Sequence, residues 1–279
     1  MRVLLVAALA IVGGLVLGAC DRAEPLAMIE PPTDVVTGGE PLHARAALPA
    51  YVAVLPQTLA AAEAPSACPT GMMLVEGMYC PNVRQKCLRY LDPPGRYHQF
   101  RCAEYGPSEC ASKKREKLSF CIDRDEYTPP GETLPANAQS WTDADRTCRS
   151  LGKRTCFESE YNFACEGEEM RPYPYGFTRD PSACNADRTD VTGPDGRLRD
   201  LRAPAGAFPR CESPFGVRDL AGNLEEFVTI DGTTPVRPAM KGAYWQPSRN
   251  FCRAAQTAHD RFYKGTETGF RCCSDAPES

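Results

Sequence analysis

The sequence predicts an α+β domain that is irregular, loop-rich and stapled by disulfides. Three observations lead there. The chain has 15 cysteines in 279 residues, a density typical of exported folds held by bridges. Only two segments carry a helical period of apolar residues, both within residues 140–167. The remaining apolar residues sit in short alternating runs, cut apart by 22 glycines and 26 prolines.

The first segment to account for is "MRVLLVAALAIVGGLVLGAC". One basic residue, Arg2, precedes an apolar run that closes on small residues. This is the pattern of a secretory signal and not of the mature fold. Leu17-Gly18-Ala19-Cys20 resembles a bacterial lipobox, which implies cleavage before Cys20 and lipidation of Cys20. The expectation is an exported protein, lipid-anchored to the cell membrane or outer membrane and facing the periplasm or the exterior. Residues 1–19 are then the signal peptide. Residues 20–66, rich in Ala and Pro, form the lipidated cysteine and a flexible tether, with a short strand conceivable at "YVAVL". The net charge is -4, from 32 basic and 36 acidic residues well mixed along the chain, which excludes an electrostatic nucleic-acid binder. A monomer is expected.

Residues 67–117 form a cysteine-rich section, opened by a strand and turn in "GMMLVEGMYC". The sequence leaves open whether this section is a separate subdomain or packs on the main domain, which spans 118–279. In the main domain, Leu118, Phe120 and Ile122 alternate with polar neighbours, as in a strand with one buried face. "SWTDADRTCRSLGKRTCFESEYNFACEG" holds two short helices. Thr142 and Asp145 fit a capping box for the first and Gly152 fits its stop; Ala144, Cys148 and Leu151 share its inner face. The second is read from Thr155, with Glu158 completing its box, to Gly167; its inner stripe is Phe157, Tyr161 and Ala164 or Cys165. From residue 170 to "AYW" and "TGFRCC" the chain reads as loop. With Cys20 set aside, an even number of cysteines remains, as full pairing requires.

Five stretches, in order, resemble one family. They are the helical region above, "YPYGFTRDPSACN", "SPFGVRDLAGNLEEFV", "KGAYW" and "TGFRC". Together they resemble the formylglycine-generating enzyme or sulfatase-modifying factor family, from about Ser119 to Cys273. The resemblance implies a variant of the C-type lectin fold. It also implies disulfides between Cys148 and Cys272 and between Cys165 and Cys252.

Oxidases of that family convert a substrate cysteine to formylglycine with copper(I) held by two cysteines five residues apart. Two soft thiolates suit Cu(I), and one is not enough. After Gly242-Ala243-Tyr244-Trp245 this chain reads "QPSRNFC". Aligned without a gap, the first copper cysteine falls on Pro247 and the second on Cys252. With the insert deleted, Cys252 matches the bridged cysteine instead. The copper pair is incomplete on both alignments, so copper is not expected. A histidine-held iron site, as in a second branch of the fold, is not expected either, because the only histidines are His43, His98 and His259.

The family's loops hold calcium through hard oxygens. Here the matching residues are Asn185 and Asp195, then Asn223 with Glu225 or Glu226, of which Glu226 is the choice. The alternative is that these groups only tie the loops together. Glu225 stands where the family has tryptophan and is expected to face solvent. The functional expectation is a non-catalytic binding or structural module at the cell envelope, with a protein, peptide or glycan ligand. The alternative is an active copper oxidase with a relocated thiol pair.

Overall fold

A computed structural model describes residues 67–249 and 251–277. The signal peptide, Cys20, the tether and the "YVAVL" strand lie outside the described residues.

The chain opens with β1 (Met72–Tyr79), the short strands β2 (Val83–Arg84), β3 (Cys87–Tyr90), β4 (Cys102–Tyr105) and β5 (Glu109–Cys110), and then β6 (Glu116–Asp123). α1 (Trp141–Ser150), β7 (Arg154–Thr155) and α2 (Glu158–Glu166) come next. After a long irregular stretch come β8 (Glu225–Thr229), β9 (Pro238–Lys241), β10 (Ala255–Gln256), β11 (Thr268–Gly269) and β12 (Cys272–Asp275). These form two four-stranded sheets, β1-β6-β12-β7 and β10-β9-β8-β11, and two ribbons, β2-β5 and β3-β4. β11 pairs with β8 in parallel, which brings the C-terminus back beside the second sheet. The two sheets join where the Thr229 N–H donates to the Cys156 carbonyl at 2.9 Å.

The cysteine-rich section is not a separate body. β1 pairs with β6 along its whole length, from Met72 opposite Asp123 to Tyr79 opposite Glu116. Cys68 is bridged to Cys121 beneath that pairing. Arg253 adds a polar tie, with its guanidinium on Glu166 of α2 at 2.6 and 2.8 Å and on the carbonyls of Cys80 and Pro81.

β6 departs from simple alternation. Phe120 and Ile122 are buried, and so is Cys121 between them. The Cys68 bridge, Met72 and Ala276 cover the second face, so this part of the strand is dry on both sides.

α1 is capped by Ser140 and Asp143, two residues before the pair expected. The Ser140 hydroxyl accepts from the Asp143 N–H at 3.1 Å, and the Asp143 carboxylate accepts from the Ser140 N–H at 3.1 Å. The earlier start places Trp141 in the first turn, buried, with its indole N–H on the Thr229 hydroxyl at 3.1 Å. Leu151 lies past the last turn and is 49 % exposed, so Ala144 and Cys148 alone of the expected stripe are buried.

α2 starts at Glu158, and Glu160 closes its first turn by accepting from the Phe157 N–H at 2.8 Å. Every residue from Glu160 to Gly167 is buried, while Phe157 lies at the surface. α2 is therefore a central helix, and its Tyr161, Phe163, Ala164 and Cys165 pack with Val75, Phe120, Leu220 and Val228 into the main core.

Seven disulfides pair every cysteine among the described residues. Cys148 is joined to Cys272 and Cys165 to Cys252, with the neighbouring bridge Cys156–Cys273 fixing the same C-terminal strand. Residues 167–224 contain no helix or strand. They are held instead by Cys184–Cys211 and by ion pairs such as Arg179–Asp187 at 2.7 Å.

Candidate functional site

β9 ends at Lys241, and the chain turns sharply at Gly242. The turn needs glycine: φ is 78°, and a Cβ there would lie 2.6 Å from the Tyr161 hydroxyl. Trp245 is fully buried just beyond, its carbonyl accepting from the Arg188 N–H at 2.7 Å. The chain then runs back over the domain to Cys252. Cys252 is fully buried, donates its N–H to the Pro172 carbonyl at 2.8 Å, and is bridged to Cys165 of α2. Pro247 has no thiol to offer. The donor set for a two-thiolate copper site is thus not assembled, and no described cysteine retains a free thiol for a relocated pair.

This turn frames a cavity of about 200 Å³, lined by Phe100, Glu225, Ala243, Ser248, Arg249, Ala254, Ala255 and Gln256. Four separate parts of the chain meet there: the β3–β4 loop, the start of β8, the Gly242 turn and the segment around β10. Phe100 is 40 % exposed and lies under the Arg249 guanidinium at 5.4 Å. Glu225 is half-buried and not solvent-facing as expected. Burial, followed by the nearby Glu267 carboxylate, pushes its pKa up to about 7. Glu267 accepts from the Tyr263 hydroxyl at 2.7 Å, and His259 stacks on Tyr263 with ring centroids 3.6 Å apart. His259 is a packing residue here.

Behind the cavity runs a buried polar spine. The Arg271 guanidinium donates twice to Glu226, at 2.7 Å each, and also to the carbonyls of Asp123 and Arg124. Burial works against the Arg271 charge, and the Glu226 carboxylate overrides it, holding the guanidinium above its ordinary pKa. Glu126 accepts from the Leu224 N–H at 2.9 Å and bonds the Asn223 amide. Its burial, beside Glu226 and Asp219, pushes its carboxyl well above the usual range. Asp219 is raised to about 7, again chiefly by burial.

Of the residues expected to hold calcium, Asn185, Asn223 and Glu226 are buried along this spine, and Asp195 is not. Asn185 and Asn223 are brought together, the Asn185 amide donating to the Asn223 oxygen at 2.9 Å. That oxygen also accepts from the Ala203 N–H at 2.8 Å. Asp195 sits in an exposed turn, where it accepts from the Arg197 N–H at 3.1 Å. Both oxygens of Glu226 belong to Arg271. Calcium wants six to eight hard oxygens at 2.3–2.6 Å. Of these expected ligands, only the Asn185 Oδ1 is buried without a hydrogen-bond partner; Asn223 and Glu226 already meet donors of the chain itself. These side chains tie loops together, and they do not fit a calcium shell as they stand. The one other grouping of potential ligands among the described residues, Cys156, Glu160 and Cys273, consists of a disulfide beside a carboxylate held by Arg154 at 2.6 and 2.7 Å.

Sequence reasoning did not find Glu126, Asp219, Arg249 or Phe100. Asp219 lies inside the "SPFGVRDLAGNLEEFV" stretch without standing out in it, and no motif marks the other three, since each gains its role from a partner far along the chain.

A solved structure titled CarF aligns with a TM-score of 0.53 at 13 % identity, covering 74 % of this chain and 98 % of its own. PvdO from Pseudomonas aeruginosa aligns with a TM-score of 0.49 at 16 % identity, covering 75 % of this chain and 97 % of its own. At 13 % identity the likeness to CarF speaks for fold alone. No curated protein sequence matches the chain. Residues 101–276 match the sulfatase-modifying factor enzyme 1-like domain, and the chain belongs to that family.

Proposed function

We propose that this chain is a non-catalytic binding module of the cell envelope: an exported, lipid-anchored protein whose sulfatase-modifying factor domain holds a peptide, protein or glycan ligand. The observation that carries this reading is the Cys165–Cys252 bridge. It consumes the one thiol that stands near a copper position, while the cavity beside it stays formed. Two thiolates are the minimum for the copper chemistry of the oxidases, and here neither position supplies one. The cavity walls combine an aromatic ring, an amide and both signs of charge, the mixed lining of a specific binding site.

The reading is tested on residues 21–279 purified from an oxidising compartment. Alkylation without reductant is followed by intact mass measurement, and the same sample is titrated with copper(I) and incubated with a cysteine-containing peptide and oxygen. The expected result is no added alkyl group, no stoichiometric copper and an unchanged peptide. Conversion of the peptide cysteine to formylglycine, or a reactive Cys252, would refute the reading. For anchoring, Cys20→Ala should release the full chain from the membrane fraction.

A further inference from the structure

The cavity carries two charges of opposite sign that the fold leaves unused. Most buried or half-buried arginines of this chain are locked on carboxylates: Arg154 on Glu160, Arg179 on Asp187, Arg253 on Glu166 and Arg271 on Glu226. Arg249, by contrast, is an exposed residue at the edge of the cavity. Among the described residues it makes no ion pair, and its guanidinium lies over the Phe100 ring. Glu225 likewise has no cation among the described residues, although it is half-buried and its charged neighbour is another carboxylate, Glu267. Arg249 and Glu225 line the same cavity without pairing with each other. A half-buried carboxylate with no cation is unfavourable for the fold alone. An Arg fork left open is suited to a carboxylate.

We infer that this cavity binds a small zwitterionic group, with an ammonium held by Glu225 and a carboxylate held by Arg249. The inference rests on the binding-module reading and names its ligand chemistry. A purely cationic ligand at Glu225 would share the cavity with Arg249, and a purely anionic one would share it with Glu225. Only a ligand with both signs satisfies both walls. The volume, about 200 Å³, is below the roughly 300–1,000 Å³ of drug-sized sites. It suits a group of amino-acid size: a free amino acid, or adjacent charged side chains of a peptide. Ala254 and Ala255 leave room at the cavity wall, and the Gln256 amide adds a polar group.

The test uses residues 21–279, disulfides intact, at about pH 8.5, where Glu225 is ionised. Calorimetry compares glycine, 4-aminobutanoate and 6-aminohexanoate, which scan the charge spacing, with butylamine and butyrate. The dipeptide acetyl-Lys-Glu-amide tests side-chain charges. The expected result is that at least one zwitterion binds about tenfold more tightly than both single-charge analogues, the equivalent of one added ion pair at 1.4 kcal/mol. Preference for an ω-amino acid points to a free small molecule, and preference for the dipeptide points to a protein segment. Glu225→Gln should erase the advantage over butyrate, and Arg249→Gln the advantage over butylamine; Glu225→Asp, which keeps the charge, should preserve the first. The inference is overturned if no zwitterion outperforms the single-charge analogues, or if the advantage survives both substitutions. Failure here leaves the binding-module reading standing, whereas formylglycine formation would sink that reading whatever the cavity binds.

Discussion

Replacing Glu225 with glutamine should stabilise the protein increasingly as pH rises above about 4.5, with the full gain reached above about 7. The carboxyl has an ordinary value of 4.5 and is raised to about 7 in the fold. The folded chain therefore holds the proton more tightly than the unfolded chain. The native state loses stability as pH climbs from 4.5 towards 7, and the loss is complete above 7. At 1.36 kcal/mol per unit the full difference is about 3.4 kcal/mol. Partial solvent access and salt screening reduce this to about 2 kcal/mol. Glutamine has the shape of the protonated acid and cannot ionise. Urea unfolding with disulfides intact should give equal stabilities at about pH 4, and Glu225→Gln more stable by about 2 kcal/mol at pH 8.5. The comparison at each pH cancels the titration of other groups, Asp219 among them. A difference that stays constant with pH would refute the reasoning, because burial of charge would then not be what distinguishes the two side chains.

Arg271→Met should cost about 3–5 kcal/mol, because Glu226 would be left as a buried carboxylate without its cation; recovery of most of the loss by adding Glu226→Leu, in thermal unfolding, would assign it to the unpaired charge. Removing the bridge with Cys165→Ala and Cys252→Ala opens a loop of 87 residues. Chain entropy puts the loss at about 4–5 kcal/mol, read by urea midpoint, and an unchanged midpoint would show that the bridge adds nothing to the fold.

Much of this architecture is legible from residue patterns. The two helices follow from their apolar period and from the stops at Gly152 and Gly167. The start of α1 does not, because Ser140-x-x-Asp143 and Thr142-x-x-Asp145 both satisfy a capping box. Trp141 decides between them by burying its ring and reaching Thr229, a partner 88 residues away. The same blindness hides the second dry face of β6, since alternation records one covered side and Cys121 is covered by a bridge from Cys68. A glutamate in place of tryptophan reads as exposure at position 225. Glu225 is half-buried all the same, because it pairs in register with Thr268 of β11 and sits below the Gly242 turn. The Glu226–Arg271 pair spans 45 residues and the Glu126–Leu224 bond 98; tertiary proximity makes such pairs, and no local spacing encodes them.

The bridge at Cys252 links stability to the site. Among the described residues of 248–256 only Ala255–Gln256 is regular structure, paired with β9, so no strand holds Arg249 and Ala254 at the cavity wall. Cys252 adds to this pairing by fixing the middle of the segment to α2, the more buried of the two described helices. The opposite wall is built the same way. Phe100 belongs to a loop closed by Cys87–Cys102, and that loop is docked by the Tyr173 hydroxyl on the Cys102 carbonyl at 2.6 Å and by the Arg179 N–H on the Ala103 carbonyl at 2.8 Å. A site made from loops must have its entropy removed before a ligand arrives, or the ligand must provide that ordering itself. In this chain, oxidation of the cysteines performs that step. On the ungapped alignment the sulfur that copper chemistry would need as a free thiolate is the one that holds the wall in place, so reactivity at Cys252 and a preformed cavity would be mutually exclusive uses of the same residue.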